Sequence, residues 1–98
     1  MKLIKSPNKS KKFRIIFDDG SKVDFGATGY SNYTIHKDKV RMKLYLGRHR
    51  KRENWTKSGI KTAGFWARWI LWNKPSLRAS IRNVEKRFNL KIVYSGKA

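Results

Sequence analysis

The side chains able to carry acid–base or metal chemistry are few: Asp18, Asp19, Asp24, Asp38, Glu53, Glu85, His36 and His49, with no cysteine. Without a thiol there is no disulfide framework, no thiolate zinc site and no cysteine nucleophile. Asp18, Asp19 and Asp24 crowd one short stretch and could together take a divalent cation. Asp18-Asp19-Gly20-Ser21, however, is turn chemistry, which accounts for two of them, and Asp24 sits across the same hairpin. His36 and His49 fall near opposite ends of one predicted helix, too far apart to share a metal. The Gly26–Gly29 loop lacks the spacing and the Gly-Lys-Ser/Thr of a phosphate-cradling P-loop. The expectation is a non-enzymatic protein that uses no metal or cofactor.

Charge is the stronger signal. The chain has 98 residues with 25 Lys and Arg against 6 Asp and Glu, a formal net charge of +19. The cations gather in three places: an N-terminal stretch with Lys9, Lys11 and Lys12; the run Lys37, Lys39, Arg41, Lys43, Arg48, Arg50, Lys51 and Arg52, opposed only by Asp38; and Arg78 and Arg82 on the outer side of the last predicted helix. Such density repels itself, and a polyanion relieves it. Tyr30, Tyr33, Tyr45 and Trp55 interleave with these charges, and an exposed aromatic stacks on unpaired bases. Trp55, beside the Arg48–Arg52 run in a loop, is the strongest expectation for such a contact. Arg78 and Arg82 could serve as contacts of a helix-turn-helix reader. The preceding helix is too apolar to lie across a DNA backbone, so low sequence specificity is expected.

These residues need a scaffold, and 39% hydrophobic residues with four Trp supply a core. The length is that of one domain. Residues 1–12 read as a basic N-terminal arm, 13–95 as one domain and 96–98 as a C-terminal tail. Phe13, Ile15 and Phe17 alternate, as do Val23 and Phe25 beyond an Asp-Gly turn, predicting a hairpin. A helix is predicted from about Ile35 to His49, capped by Thr34. A second runs from a Thr62 cap to about Trp72, with Phe65, Trp69 and Trp72 on one stripe and Trp66 and Ile70 on the next, nearly surrounded by protein. Pro75 ends it. Ser76 caps a third helix to about Phe88, whose Leu77, Ile81, Val84 and Phe88 form one apolar stripe, with Arg82–Glu85 a potential ion pair. Leu90, Ile92 and Tyr94 alternate as a last strand that adds to the hairpin. The fold class is α+β: a small antiparallel sheet, N-terminal hairpin plus C-terminal strand, packed with about three helices. The longest apolar run, Trp69–Trp72, is far short of the ~20 residues of a membrane-spanning helix, and residues 1–7 hold no signal-peptide core. No membrane insertion and an intracellular setting are expected.

Several longer motifs resemble a known group. Asp24-Phe25-Gly26-Ala27, Gly29-Tyr30-Ser31, Tyr33-Thr34, His36-Lys37-Asp38, Arg48-His49-Arg50 and Glu53-Asn54-Trp55, with Thr62-Ala63-Gly64-Phe65-Trp66 and Trp69-Ile70-Leu71-Trp72-Asn73-Lys74-Pro75, are similar to a family of small, basic, Trp-rich proteins of giant viruses, the nucleocytoplasmic large DNA viruses. The similarity runs over about residues 13–89. That family carries no established activity; what the resemblance implies is context, a viral product made in the infected host cytoplasm and packaged in the virion. Two roles are expected there. One is a genome-associated protein that binds nucleic acid with low sequence specificity. The other is a minor capsid or cement protein that bridges acidic capsid subunits.

Overall fold

The computed structural model describes residues 1–95. Strands β1 (Lys2–Lys5), β2 (Lys11–Ile16) and β3 (Lys22–Ala27) precede helices α1 (Tyr33–His36) and α2 (Lys39–His49). Helix α3 (Ala63–Trp66) runs on into a π-helical turn (Ala67–Leu71), and α4 (Leu77–Phe88) leads to β4 (Val93–Tyr94). The class is α+β, as the sequence implies, with the sheet order β3-β2-β1-β4.

The predicted hairpin is β2–β3, antiparallel with Phe13 opposite Phe25 and Ile15 opposite Val23. Its Asp-Gly turn closes through Phe17 N–H to the Ser21 carbonyl at 2.8 Å, with Gly20 at φ +87°. The first twelve residues are not a free arm. Residues 2–5 form β1, antiparallel to β2, and Leu3 opposite Ile15 is wholly buried. One apolar residue placed in register with the core outweighs the repulsion of its lysine neighbours, which stay outside. The last strand joins β1 rather than the hairpin, and in parallel, with Lys2 opposite Val93 and Leu3 opposite Tyr94. The sheet is therefore mixed. The expected tail at residues 96–98 lies outside the described residues.

Helices α3 and α4 cover one face of the sheet. Phe65, Trp66, Ile70, Ile81 and Val84 meet Leu3, Ile15, Phe17 and Phe25 in a single core. Rings pack edge to face within it, Phe17 on Trp66 at 6.1 Å and Phe65 on Trp66 at 5.1 Å. Thr62 and Ser76 cap α3 and α4 as expected, accepting from Phe65 N–H and Ala79 N–H. Glu85 does not pair with Arg82; its carboxylate accepts Ile92 N–H at 2.9 Å and ties the chain leading to β4 onto α4.

The predicted long helix over 35–49 is two helices. Asn32, not Thr34, caps α1. Lys37 then turns left-handed at φ 57°, and Asp38 restarts the chain as the cap of α2, accepting from Val40 and Arg41 N–H. An acid at the N-cap suits the helix dipole. No residue of α2 is buried. It turns half-buried Met42, Tyr45, Leu46 and His49 towards the body; Tyr45 lies parallel to Trp72, 4.2 Å apart with 4° between planes, and His49 stacks on Tyr45 at 4.2 Å.

Candidate functional site

The three aspartates of the hairpin are spent on structure. Asp18 meets the terminal ammonium of Met1 at 2.9 Å, and Asp19 pairs with Lys61 at 2.9 Å. Asp24 takes a two-pronged contact from Arg14 at 2.8 and 3.0 Å and the hydroxyl of Ser6 at 2.9 Å. Hydrogen bonds from Ser21 and Lys61 hold Asp19 well below the usual carboxylate range, and a hydrogen bond from Arg14 lowers Asp24. The three aspartates thus look to three separate partners. Among the described residues no group of three His, Cys, Asp or Glu converges for a metal.

The converse holds for the cations. Among the described residues only Arg14 and Lys61 contribute a side chain to an ion pair. Several of the others converge on a cleft of about 480 Å³ between β3, α2 and the π-turn. Its cationic lining is Lys12, Arg41 and Arg48, its ring lining Tyr30, Tyr45, His49 and Trp72, and among the described residues no carboxylate lines it. Residues 41, 45, 48 and 49 are spaced i, i+4, i+7 and i+8, so one face of α2 presents them all.

Local sequence explains the shape. Gly26, at φ +78°, passes so close to the π-turn that a Cβ there would lie 2.7 Å from Leu71 Cδ1. Gly29 at φ +86° turns the chain outward and leaves Tyr30 75% exposed. The Lys12 ammonium donates to the Tyr30 carbonyl and holds that loop; its partial burial lowers its pKa. Asn32 is 2% exposed, and its amide oxygen accepts from Thr34 N–H at 3.0 Å. Burial raises the Tyr45 hydroxyl to about 12.

The expected contact residues divide. Lys12, Arg41 and Arg48 are brought together in the cleft. Lys39 and Lys43 are exposed on the opposite side of α2, and Arg50, Lys51 and Arg52 are exposed at and just beyond its end. Lys37 is used locally, donating to the carbonyls of Thr34 at 3.2 Å and Pro75 at 2.5 Å. Lys9 is exposed in the β1–β2 loop, and Lys11 lines a second, smaller cleft with Phe13, Ile35 and Tyr94. Arg78 and Arg82 are exposed on α4 but share a shallow cleft with Glu85, away from the first. Trp55 is not an exposed contact. It packs half-buried on the core, its carbonyl accepts Trp69 Nε1–H at 2.9 Å, and the Arg68 guanidinium lies 5.5 Å over its ring. A loop position beside a charge run gives no sign of that packing.

Sequence reasoning missed Trp72, Asn32, Arg68 and Arg87. Arg68 and Arg87 both stand over the Trp69 ring, at 4.2 and 4.6 Å. Burial, and next the charge of Arg87, lower Arg68 to about 10. The available signal was Arg68 itself, the one polar residue in the middle of an apolar helix.

Fold and cleft together define a small basic α+β domain with an acid-free, ring-lined cleft. The chain belongs to a family of unknown function, DUF5754, whose pattern matches residues 1–49, half of the 98. That half supplies ten of the thirteen cleft-lining residues; Ala67, Leu71 and Trp72 come from beyond it. No curated protein and no solved structure matches the chain.

Proposed function

We propose that this is a non-enzymatic protein that binds nucleic acid with low sequence specificity, as a genome-associated component of a large DNA virus. The observation that carries the reading is the acid-free cleft, where Lys12, Arg41 and Arg48 stand beside Tyr30 and Trp72. Unpaired cations attract phosphates and release counterions, a term blind to sequence. The exposed Lys39, Lys43, Arg50, Lys51 and Arg52 extend the same field beyond the cleft. The setting proposed with it, on the resemblance of its motifs to the giant-virus family, is the virion, and the host cytoplasm during infection.

Binding to mixed-sequence DNA across a salt series tests this. Arg41 and Arg48 alone contribute about 1.4 to the slope of log K against log salt on a single strand, at about 0.7 each. R41E with R48E should flatten the slope and weaken binding at every sequence alike. Weak, shallow binding by the unaltered protein at physiological salt would sink the reading.

A second reading rests on a different observation. Ile35, Val40 and Leu44 are large apolar side chains left 60%, 66% and 56% exposed, and Val40 and Leu44 are neighbours on α2. Apolar surface beside basic charge suits a minor capsid protein that bridges acidic shell subunits, and cross-linking in assembled particles would separate that role from genome binding.

A further inference from the structure

We infer that the cleft takes one unpaired nucleotide of a single strand, its base laid on Tyr30 and its flanking phosphates on Arg41 and Arg48. This rests on the nucleic-acid reading above and names the form of the ligand.

Four observations lead there. First, about 480 Å³ is at the lower end of small-ligand sites, room for a nucleotide and not for a helix. Second, the lining combines what a duplex cannot satisfy together. A duplex offers phosphates outward but keeps its base faces stacked inside, so Arg41 and Arg48 would be met and Tyr30 would not. A single strand offers both, as in other stacking platforms. Third, Tyr30 is 75% exposed, held outward by the left-handed Gly29 and by Lys12 on its carbonyl. The ring of Tyr30 is thus presented to solvent, where a base can stack on it. Fourth, Asn32 lines the same cleft while only 2% exposed. Its amide oxygen is engaged by Thr34 N–H and Oγ1–H, which fixes the amide orientation, and its NH₂ has no acceptor among the described residues. A base or ribose oxygen supplies one.

A strand fits better than a free nucleotide. Arg41 and Arg48 are two helical turns apart, about 10.5 Å along α2 at 1.5 Å per residue. One phosphate does not span that distance, whereas the phosphates on either side of an inserted nucleotide reach towards both.

The test compares a single-stranded oligothymidylate with a hairpin duplex of equal phosphate count, at one salt concentration, with thymidine monophosphate as competitor. The expected results are single-strand binding at least 10-fold tighter than duplex, and little competition from the mononucleotide. Y30A should cost the single strand about 5- to 150-fold, the range of one lost base–aromatic stack, and leave the duplex unchanged. Y30F should restore single-strand binding, because it keeps the ring. Tyr30 has no ring partner among the described residues, and circular dichroism checks that Y30A stays folded. Equal binding of both forms with no effect of Y30A would overturn this inference and leave nucleic-acid binding standing. Tight capture of the mononucleotide would replace the strand with a small-molecule ligand. Absence of binding to either DNA form would remove both readings at once.

Discussion

Replacing Trp72 by Ala should detach α2 while the sheet stays folded. Helix α2 buries none of its residues, and eleven residues are too few to hold a helix alone in water. Its sequence makes matters worse, since Lys39 and Lys43 face each other at i, i+4. The ring contact that holds it is the parallel pair of Tyr45 with Trp72 at 4.2 Å, extended by His49, beside half-buried Met42 and Leu46. A ring pair contributes about 0.5–1.5 kcal/mol beyond its area, and the apolar area it hides adds about 1.5–3 kcal/mol. Loss of Trp72 should therefore lower the free energy of α2 opening by about 2–4.5 kcal/mol, roughly a 30- to 1,600-fold loss of amide protection at 1.4 kcal/mol per factor of ten. Native-state hydrogen exchange reads this directly: amides from Met42 to Arg50 should lose protection while those of Ile15 and Phe25 lose far less. A second readout is the Tyr45 hydroxyl, raised by burial to about 12, which should titrate closer to 10.0 once released. Equal loss of protection in α2 and the sheet, or none in α2, would refute the account of how the helix is held.

Two further outcomes follow from the same geometry. Gly26→Ala should cost about 2–4 kcal/mol in chemical denaturation, combining left-handed strain with overpacking of Leu71 at 2.7 Å; Gly29→Ala, with nothing within 4 Å of its Cβ, should cost only the strain, about 1–2 kcal/mol. His36 is held below its usual 6.5 by burial, and next by Arg41; its Nε2 is buried without a partner and its ring packs on Trp72 at 5.4 Å. The fold thus prefers neutral imidazole, so this contribution to stability is complete above about pH 6.5 and is lost as pH falls through the lowered folded-state value. Melting temperature measured from pH 7.5 down to about pH 5 should decline, and H36F should remove that part of the decline.

Much of the scaffold was legible because its signals are local. The Asp-Gly turn between alternating residues placed β2 and β3, and the stripe Leu77, Ile81, Val84 and Phe88 with a Ser76 cap placed α4. The misses came from partners distant in sequence. Nothing near Leu3 announces that it pairs with Ile15 and, on its other side, with Tyr94. The break at Lys37 depends on Asn32 and Asp38 each capping a separate helix, which a tally of apolar spacing does not register. The site was half legible. Charge pointed to α2, but only 100° geometry sorts Arg41 and Arg48 from Lys39 and Lys43. Trp72 was hidden by a change of helix period. At α-helical spacing it shares a stripe with Phe65 and Trp69, but the π-turn, closed by Trp72 N–H to the Ala67 carbonyl at 3.1 Å, rotates it out of the core and under Tyr45.

The pairing of β1 with β4 also sets an order of events during synthesis. Strand β1 emerges from the ribosome first of the four and can join β2 at once, yet its other edge waits until Val93 and Ser95 arrive to bond the carbonyls of Met1 and Leu3, at 3.0 and 3.2 Å. For the time it takes to make most of the domain, a strand with bare backbone groups is open to any neighbouring chain. Bare edges recruit other strands, and lysine is the residue that discourages them. Lys2 and Lys5 bracket that edge. A second copy offering the same edge would bring the same two charges against them, so like-charge repulsion works against one copy completing the sheet of the next.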